Sequence, residues 1–452
     1  MANRPWTPYE PSAKARWDLR RVVHLHRRAG FVATWRELQR DLKEGPGPSI
    51  SRILKGHSRC AGVPADFPAV ADTLALSAAG DLGRLKAWWV YRMLFGPDPL
   101  GERLTLMWHN HFATSAAKVG PTVRRQNEIF RASARAPFGQ LLPRVVHDPA
   151  LLLWLDAQAN RKGHPNENLA RELMELFTLG IGHFTEADVK EAARALTGWT
   201  VVKDRFQEDA AQHDDGDKTI LGRKGAWKGD DLLRILLAQP ATAERLATRL
   251  CELFFGEGAI DAGHVRALAE GLREHDLSID WAVETVLRSE AFFAEANLGT
   301  RILAPVEYVV GAVRALELFD PSPSTLILGE FSGNLGQDLF HPPNVGGWPG
   351  GRSWISTRSA IGRYNYAVAL LDGDGVGLPR PVDVLGLARR HDRGDNLEDI
   401  VVFFAELLLG AVPSRAWRER LLTAVDNKRI VEPASVRRLA VLMIACPEAQ
   451  LA

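Results

Sequence analysis

Cysteine is scarce in this sequence. Cys60, Cys251 and Cys446 are spread through 452 residues, and no two of them have CxxC spacing. An odd number of widely separated cysteines argues against a disulfide framework and against a structural zinc knot. We therefore expect reduced, packed thiols.

Long apolar runs are also lacking. No stretch of about 18 apolar residues occurs, so the sequence predicts no membrane-spanning helix. The N-terminal stretch MANRPWTPYEPSAKARWDLRR has no apolar core of the length that a signal peptide requires. From these two absences we expect a cytoplasmic protein with no membrane contact.

The sequence has no excess of charge of either sign. It contains 56 basic and 55 acidic residues, a formal net charge of +1, so no bulk electric field attracts it to nucleic acid or anionic lipid. The most basic run, RRVVHLHRR at residues 20–28, fits an amphipathic helix, and we predict no nucleic-acid partner. The motifs GxSxG, Walker A, HExxH and a strand-linked GxGxxG are missing as well.

Helical periodicity dominates what is there, and the sequence predicts a mainly α protein. Gly30 follows one helical pattern, Thr34 and Glu37 fit a capping box at the start of the next, and GPGPS at 45–49 reads as a loop. The best strand signal is WTVVKDRF from Trp199. We expect one large multi-helix domain over residues 1–372, with residues 373–452 as a helical extension on the same core. A separate small C-terminal subdomain is the alternative.

Two long stretches, 199–228 and 319–355, have no helical pattern and an unusual composition. Long loops in compact helical proteins are more often functional than idle. Candidate chemistry is therefore expected in these two loops and in the helices rich in polar residues.

The central helix NENLARELMELFTLG, from Asn166 to Gly180, has one apolar and one polar face. The polar face carries i,i+4 pairs of opposite charge, which are typical of a solvated helix surface. The alternative is that this face lines a cavity, with Glu172 or Glu175 as a ligand or as a general acid or base. The polar face consists of Glu167, Asn168, Arg171, Glu172 and Glu175.

The segment WHNHFATS, residues 108–115, contains two histidines two positions apart. On a continuous helix His109 and His111 point about 160–200° apart around the axis and cannot share a metal ion. Chelation by both requires an extended backbone, and hence a helix that ends near Trp108. Packed or singly hydrogen-bonded histidines are the alternative.

The turn HDDGD, residues 213–217, offers imidazole and carboxylate ligands together in His213, Asp214 and Asp215. A plain acidic surface turn explains the same residues equally well.

The segment HPPNVGGWPGGRSW, residues 341–354, combines rigid prolines with glycines that permit tight turns. Trp348, Arg352 and Trp354 could form a wall that stacks on a ligand and binds an anion. His341 and Asn344 are further candidates for substrate contacts. A rigid loop packed on the helices is the alternative.

Taken together, these blocks resemble the bacterial DUF1800 family. The resemblance rests on RRAGF (27–31), FATS (112–115), RQNEIFR (125–131), the stretch 166–201, HDDGDKTILG and HPPNVGGWPGGRSWI, in the family's order. It implies a helical fold and shared ancestry, but no reaction. Many members look exported and are often encoded beside a DUF1501 protein that resembles sulfatases and phosphatases, which implies a DUF1501-like partner.

Three functions follow from these residues. The first is a metal-dependent hydrolase, in which a divalent ion (Zn, Mn or Fe) activates water. The second is a metal-free glycosidase-like enzyme with a pair of catalytic glutamates and tryptophans that stack on a saccharide. The third is a non-enzymatic helical partner of a neighbouring hydrolase. For the first function the metal ligands are His109, His111, His213, Asp214 and Asp215, the catalytic residues are Arg171, Glu172, Glu175 and Arg352, and the substrate contacts are Asn168, His341, Asn344, Trp348 and Trp354.

Overall fold

Helices make up most of the structure, a computed structural model that describes residues 5–56, 64–425 and 431–452. The prediction of a mainly α protein is confirmed. The first twelve helices are α1 (Leu19–Ala29), α2 (Trp35–Glu44), α3 (Pro46–Lys55), α4 (Phe67–Ser77), α5 (Leu82–Phe95), α6 (Pro99–His111), α7 (Ala116–Val119), α8 (Val123–Ala132), α9 (Phe138–Val146), α10 (Pro149–Trp154), α11 (Asn168–Glu172) and α12 (Glu186–Ala195).

The second half of the chain continues in the same way. Its helices are α13 (Gly229–Leu237), α14 (Pro240–Phe255), α15 (Ala262–Glu274), α16 (Ile279–Leu287), α17 (Pro305–Ala315), α18 (Thr325–Asn334), α19 (Thr357–Asp372), α20 (Val384–Arg390), α21 (Leu397–Leu409), α22 (Arg415–Val425) and α23 (Pro433–Ala445). Within the described ranges no helix is long and apolar enough to cross a membrane.

Among the described residues, strands are confined to two hairpins between α12 and α13. They are β1 (Trp199–Val202) with β2 (Arg205–Glu208), and β3 (Lys218–Ile220) with β4 (Arg223–Gly225), each pair antiparallel. The predicted strand at WTVVKDRF is thus a hairpin, because Lys203 and Asp204 both have positive φ, as the turn between two twisted strands requires.

Two segments that were predicted to be irregular contain helices. GPGPS forms the first turn of α3, since Pro46 and Pro48 lie where a helix has no partner for its N–H groups. The predicted loop 319–355 contains α18, whose Gly329 packs against Lys86 and Val90 of α5. Packing on α5, rather than a helical pattern in its own sequence, explains this helix.

The helices after residue 372 share a core with the helices before it. Phe403 of α21 and Leu439 of α23 belong to the same buried cluster as Trp89 of α5 and Val310 of α17. A second cluster lies among α6, α8, α9 and α14 to α16. Cys251 and Cys446 are free thiols, and Cys60 lies outside the described residues.

Helix α1 is tied to distant segments by a fully buried arginine. Arg28 donates to the carbonyl oxygens of Phe254 (2.7 Å), Asn297 (2.9 Å) and Ala452 (2.6 Å). The preceding Arg27 donates to the carbonyl oxygen of Leu408, near the end of α21. A guanidinium supplies five N–H donors in a rigid plane, so these two side chains join parts of the fold that are far apart in sequence.

Replacing Arg28 with methionine should destabilise the fold strongly. The substitution keeps the apolar volume but removes three hydrogen bonds from a charged donor, each of which contributes about 1.5–3 kcal/mol. The carbonyl oxygens of Asn297 and Ala452 keep other donors in Thr300 and Arg301, so these two oxygens stay partly satisfied. We expect the free energy of unfolding, measured with urea, to fall by about 3 kcal/mol or more. Arg36→Met, at an exposed position of α2, is the control. Equal effects of the two substitutions would contradict this account.

Candidate functional site

Two of the sequence motifs meet at one place. Asn110 of α6 accepts a hydrogen bond from the backbone N–H of Trp348 (2.7 Å) and donates to its carbonyl oxygen (3.3 Å). Gly347 has a φ of +79°, and a Cβ at this position would lie 2.2 Å from Oδ1 of Asn110. The loop can therefore approach α6 this closely only with glycine there. The WHNH and GGWPGG segments are therefore packed directly against each other and joined by hydrogen bonds.

The two histidines of WHNH are buried and form hydrogen bonds with different segments of the chain. Helix α6 continues through His111, so the extended backbone that joint chelation requires is not found. Nε2 of His109 accepts from the backbone N–H of Phe340 at 3.2 Å, whereas Nε2 of His111 donates to the carbonyl oxygen of Phe177 at 3.1 Å. Both side chains are almost fully buried.

Burial keeps both imidazoles neutral. It lowers the pKa of His109 to about 3, with a further contribution from His341. It also takes the pKa of His111 well below the ordinary value, helped by Arg249 and Arg245. Desolvation disfavours the charged form of a group, which is the direction seen for both rings.

The HDDGD turn lies elsewhere, beside the end of α12. Its oxygens are largely occupied by cations of the protein: Arg194 donates to both carboxylate oxygens of Asp214 (2.8 and 3.2 Å), and Lys218 donates to the carbonyl oxygens of Asp214 and Gly216. The hydrogen bonds from Arg194 lower the pKa of Asp214 to about 2. The exposed Asp215 lies 3.4 Å from Lys162.

His213 is held by the same turn. Its Nδ1 lies 3.0 Å from the carbonyl oxygen of Thr197, and because a carbonyl can only accept, Nδ1 carries the proton. Nε2 is then the acceptor nitrogen. In the described part of the chain, no three His, Cys, Asp or Glu side chains are grouped so that they could hold a metal ion.

The central helix is a solvated ion-pair surface at its N-terminal end. Arg171 donates to Glu167 (2.9 Å) and to both oxygens of Glu186 (2.9 and 2.7 Å). The half-buried Glu172 has a raised pKa because of burial and the neighbouring Glu175. Residues Leu173–Thr178 form a π-helical turn, a rare feature that is frequent at functional sites.

The remaining predicted residues have local contacts. Asn168 is exposed, and its N–H donates to the side chain of Asn166. Nδ1 of His341 lies 3.3 Å from a carboxylate oxygen of Asp338. Asn344 accepts from the backbone of Gly346, and Arg352 is exposed.

A cleft of about 300 Å³ opens where the two motifs meet. Asn110, Trp348 and Trp354 line it, and the rest of its lining comes mainly from α6, from the end of α14 and from residues 301–307. The catalytic candidates Arg171, Glu172, Glu175 and Arg352 and the HDDGD turn are not among its lining residues. Of the three residues predicted to form a binding wall, Trp348 and Trp354 therefore line the cleft.

The floor of the cleft is built around one buried carboxylate. Glu307 accepts from Arg103 and, through both oxygens, from Arg301 (3.1 and 2.7 Å). Burial alone would raise the pKa of Glu307, but Arg103 and Arg301 outweigh it and lower this pKa to about 2. At neutral pH the floor therefore holds two positive charges and one negative charge.

A third arginine lies on the cleft from α14. Arg249 donates to Glu252 at 2.9 Å, and both residues line the cleft. Sequence reasoning missed all three arginines. No local signal marks Arg103, because it directly follows Glu102 in α6, and its partner Glu307 lies 204 residues away in the sequence.

Comparison with known families agrees with these motifs. The family model described as "Protein of unknown function (DUF1800)" matches residues 24–451. The chain belongs to the DUF1800 family. No curated protein and no solved structure matches it. The segment HPPNVGGWPGGRSWI, on which the resemblance rests, contains Trp348 and Trp354 of the cleft, and Asn110 lies two residues before FATS.

The buried neutral histidines should make stability depend on pH. The folded-state pKa values of both histidines lie below the unfolded value of about 6.5. Below pH 6.5 the unfolded state therefore binds more protons than the folded state, so the free energy of unfolding falls as the pH falls. His109→Gln keeps an acceptor for the Phe340 amide but cannot titrate. Between pH 6.5 and 4 we expect the free energy of unfolding of this variant to fall less steeply than that of the wild type. The two slopes should differ by up to about 1.4 kcal/mol per pH unit.

Urea unfolding at several pH values measures this slope. His183→Gln, at an exposed position, is the matched control and should leave the slope of the wild type unchanged. If His109→Gln and His183→Gln gave the same slope, His109 would not be a buried neutral group.

Proposed function

We propose that the cleft binds a small molecule that carries an oxyanion group. The observation that carries this proposal is the state of Arg103, which lines the cleft and is 1% exposed. One nitrogen of its guanidinium donates to Glu307, while Nε and Nη2 have no acceptor among the described residues. These two nitrogens form the edge with which arginine binds carboxylates and phosphates in a bidentate manner.

The unpaired donors and the shape of the cleft support the same proposal. Glu252, Glu257 and Glu307 in the lining match Arg103, Arg249 and Arg301 in number, so unpaired N–H groups, rather than an excess of positive charge, favour an anion. The unpaired N–H groups are costly when they are buried, and a ligand oxygen would satisfy them. Trp348, Trp354 and Ile302 supply an apolar wall beside this polar floor, a combination typical of small-molecule sites.

Arg249→Gln should weaken anion binding without disturbing the floor. Arg249 keeps about a fifth of its side chain exposed and does not contact Glu307, so the variant should fold. Hydrogen bonds to charged groups contribute about 1.5–3 kcal/mol, and we expect the dissociation constant for inorganic phosphate or citrate, measured by calorimetry at constant ionic strength, to rise at least tenfold.

Arg234→Gln is the matched control, because Arg234 lies on α13 with three quarters of its side chain exposed. Glucose is the uncharged comparison ligand and should not bind measurably. Wild-type protein that binds none of the anions, or an Arg249→Gln variant that binds them like the control, would contradict the proposed site.

The metal-dependent hydrolase stays a prediction. What supports it is His213, whose Nδ1 donates to a backbone carbonyl and whose Nε2 is the acceptor nitrogen, as is common for histidines that bind metals. The glycosidase-like alternative also stays a prediction, supported by the raised pKa of Glu172 beside Glu175. A chelator would abolish activity only in the first case. A DUF1501-like partner remains a third prediction.

Elemental analysis of the purified protein tests the metal prediction. It requires near-stoichiometric Zn, Mn or Fe in the wild type, and loss of the metal from His109→Ala/His111→Ala and from His213→Ala. Because the first variant removes two buried rings, the second, at a half-buried position, separates loss of a ligand from loss of the fold. Equal metal content in all three proteins would contradict the prediction.

A further inference from the structure

The unpaired donors on the arginines that line the cleft indicate which oxyanion fits it; this inference rests on the proposed function. Glu307 uses one nitrogen of Arg103 and both terminal nitrogens of Arg301. Nε and Nη2 of Arg103, Nε of Arg301 and Nε of Arg249 have no acceptor within the described ranges. Four donor nitrogens on three arginines therefore remain without a protein partner.

These donors come from three separate parts of the chain. Arg103 lies on α6, Arg249 on α14, and Arg301 in the segment before α17. A carboxylate presents two oxygens in one plane, which suits a single guanidinium edge. A phosphoryl or sulfuryl group presents three terminal oxygens in different directions, so it can accept from several side chains at once.

The wall of the cleft restricts the rest of the ligand. Trp348 and Trp354, together with Ile302, form an apolar cluster beside the arginines. A volume of about 300 Å³ lies at the lower end of the range for small-molecule sites. A compact body with an apolar or aromatic face fits this space, whereas a free inorganic anion leaves the wall unused.

We propose that the ligand of the cleft is a small ester with a tetrahedral oxyanion, a phosphoryl or sulfuryl group, on a partly apolar body. The oxyanion accepts from Arg103, Arg249 and Arg301, and the body lies against the two tryptophans. No covalent step is part of this proposal.

Calorimetry with four probes tests it on the intact chain. Phenyl sulfate and benzoate both carry one negative charge and one ring, so their difference reports the geometry of the oxyanion rather than its charge. Phenyl phosphate tests whether a phosphoryl ester binds as the sulfuryl ester does. Inorganic sulfate shows how tightly the anion binds without the apolar body. We expect both esters to bind at least tenfold more tightly than benzoate and than inorganic sulfate.

Arg249→Lys separates geometry from charge, because lysine keeps the charge but not the planar donor group. We expect it to reduce the preference for phenyl sulfate over benzoate at least threefold, while Arg234→Lys leaves that preference unchanged. A full preference in Arg249→Lys would overturn the role given to Arg249.

The remaining outcomes are distinct. Benzoate that binds as tightly as phenyl sulfate would overturn the tetrahedral ligand and leave the proposed anion site standing. Inorganic sulfate that binds as tightly as phenyl sulfate would overturn the apolar body. Folded wild-type protein that binds none of the four probes would overturn both this inference and the proposed function.

Discussion

The buried carboxylate of Glu307 is the interaction on which the cleft depends. Two guanidinium groups, from Arg103 and Arg301, lie under the cleft, and without an anion between them their burial would be strongly unfavourable. The same carboxylate also lies 3.3 Å from the backbone N–H of Ala304 and so helps to begin α17. One side chain thus joins the start of a helix, the segment before it and the middle of α6.

The motifs that mark the family divide into two kinds of role. Arg27 and Arg28 of RRAGF bind backbone carbonyls across the molecule, and Arg131 of RQNEIFR donates to Glu102 in α6 (2.6 and 2.9 Å). These residues hold the scaffold. Asn110 and the loop around Trp348 form a wall of the cleft, whereas the HDDGD turn lies away from it. This division is why a polar motif alone is a weak indicator of a site.

Local rules predicted most of the helices, and they failed where distant contacts decide the structure. The capping box at Thr34 and Glu37 is present as predicted, because it needs only four consecutive residues. Helix α18 was missed, since its position depends on the surface of α5. For the site, the sequence indicated Trp348 and Trp354 but not Arg249, because α14 and α6 both line the cleft although they are far apart in the sequence. For His109 and His111 the sequence left open a continuous helix, which prevents joint chelation, and an extended backbone, which permits it. The continuation of α6 through His111 decides for the helix.

The central claim is that the unpaired guanidinium groups of the cleft bind a tetrahedral oxyanion. The most direct measurement is the anomalous difference map of a crystal soaked in selenate, a tetrahedral anion with a strong signal. Our account predicts the highest selenium peak in the cleft, within hydrogen-bond distance of Arg103, Arg249 or Arg301. A map with selenium only at exposed arginines elsewhere, and none in an open cleft, would contradict it.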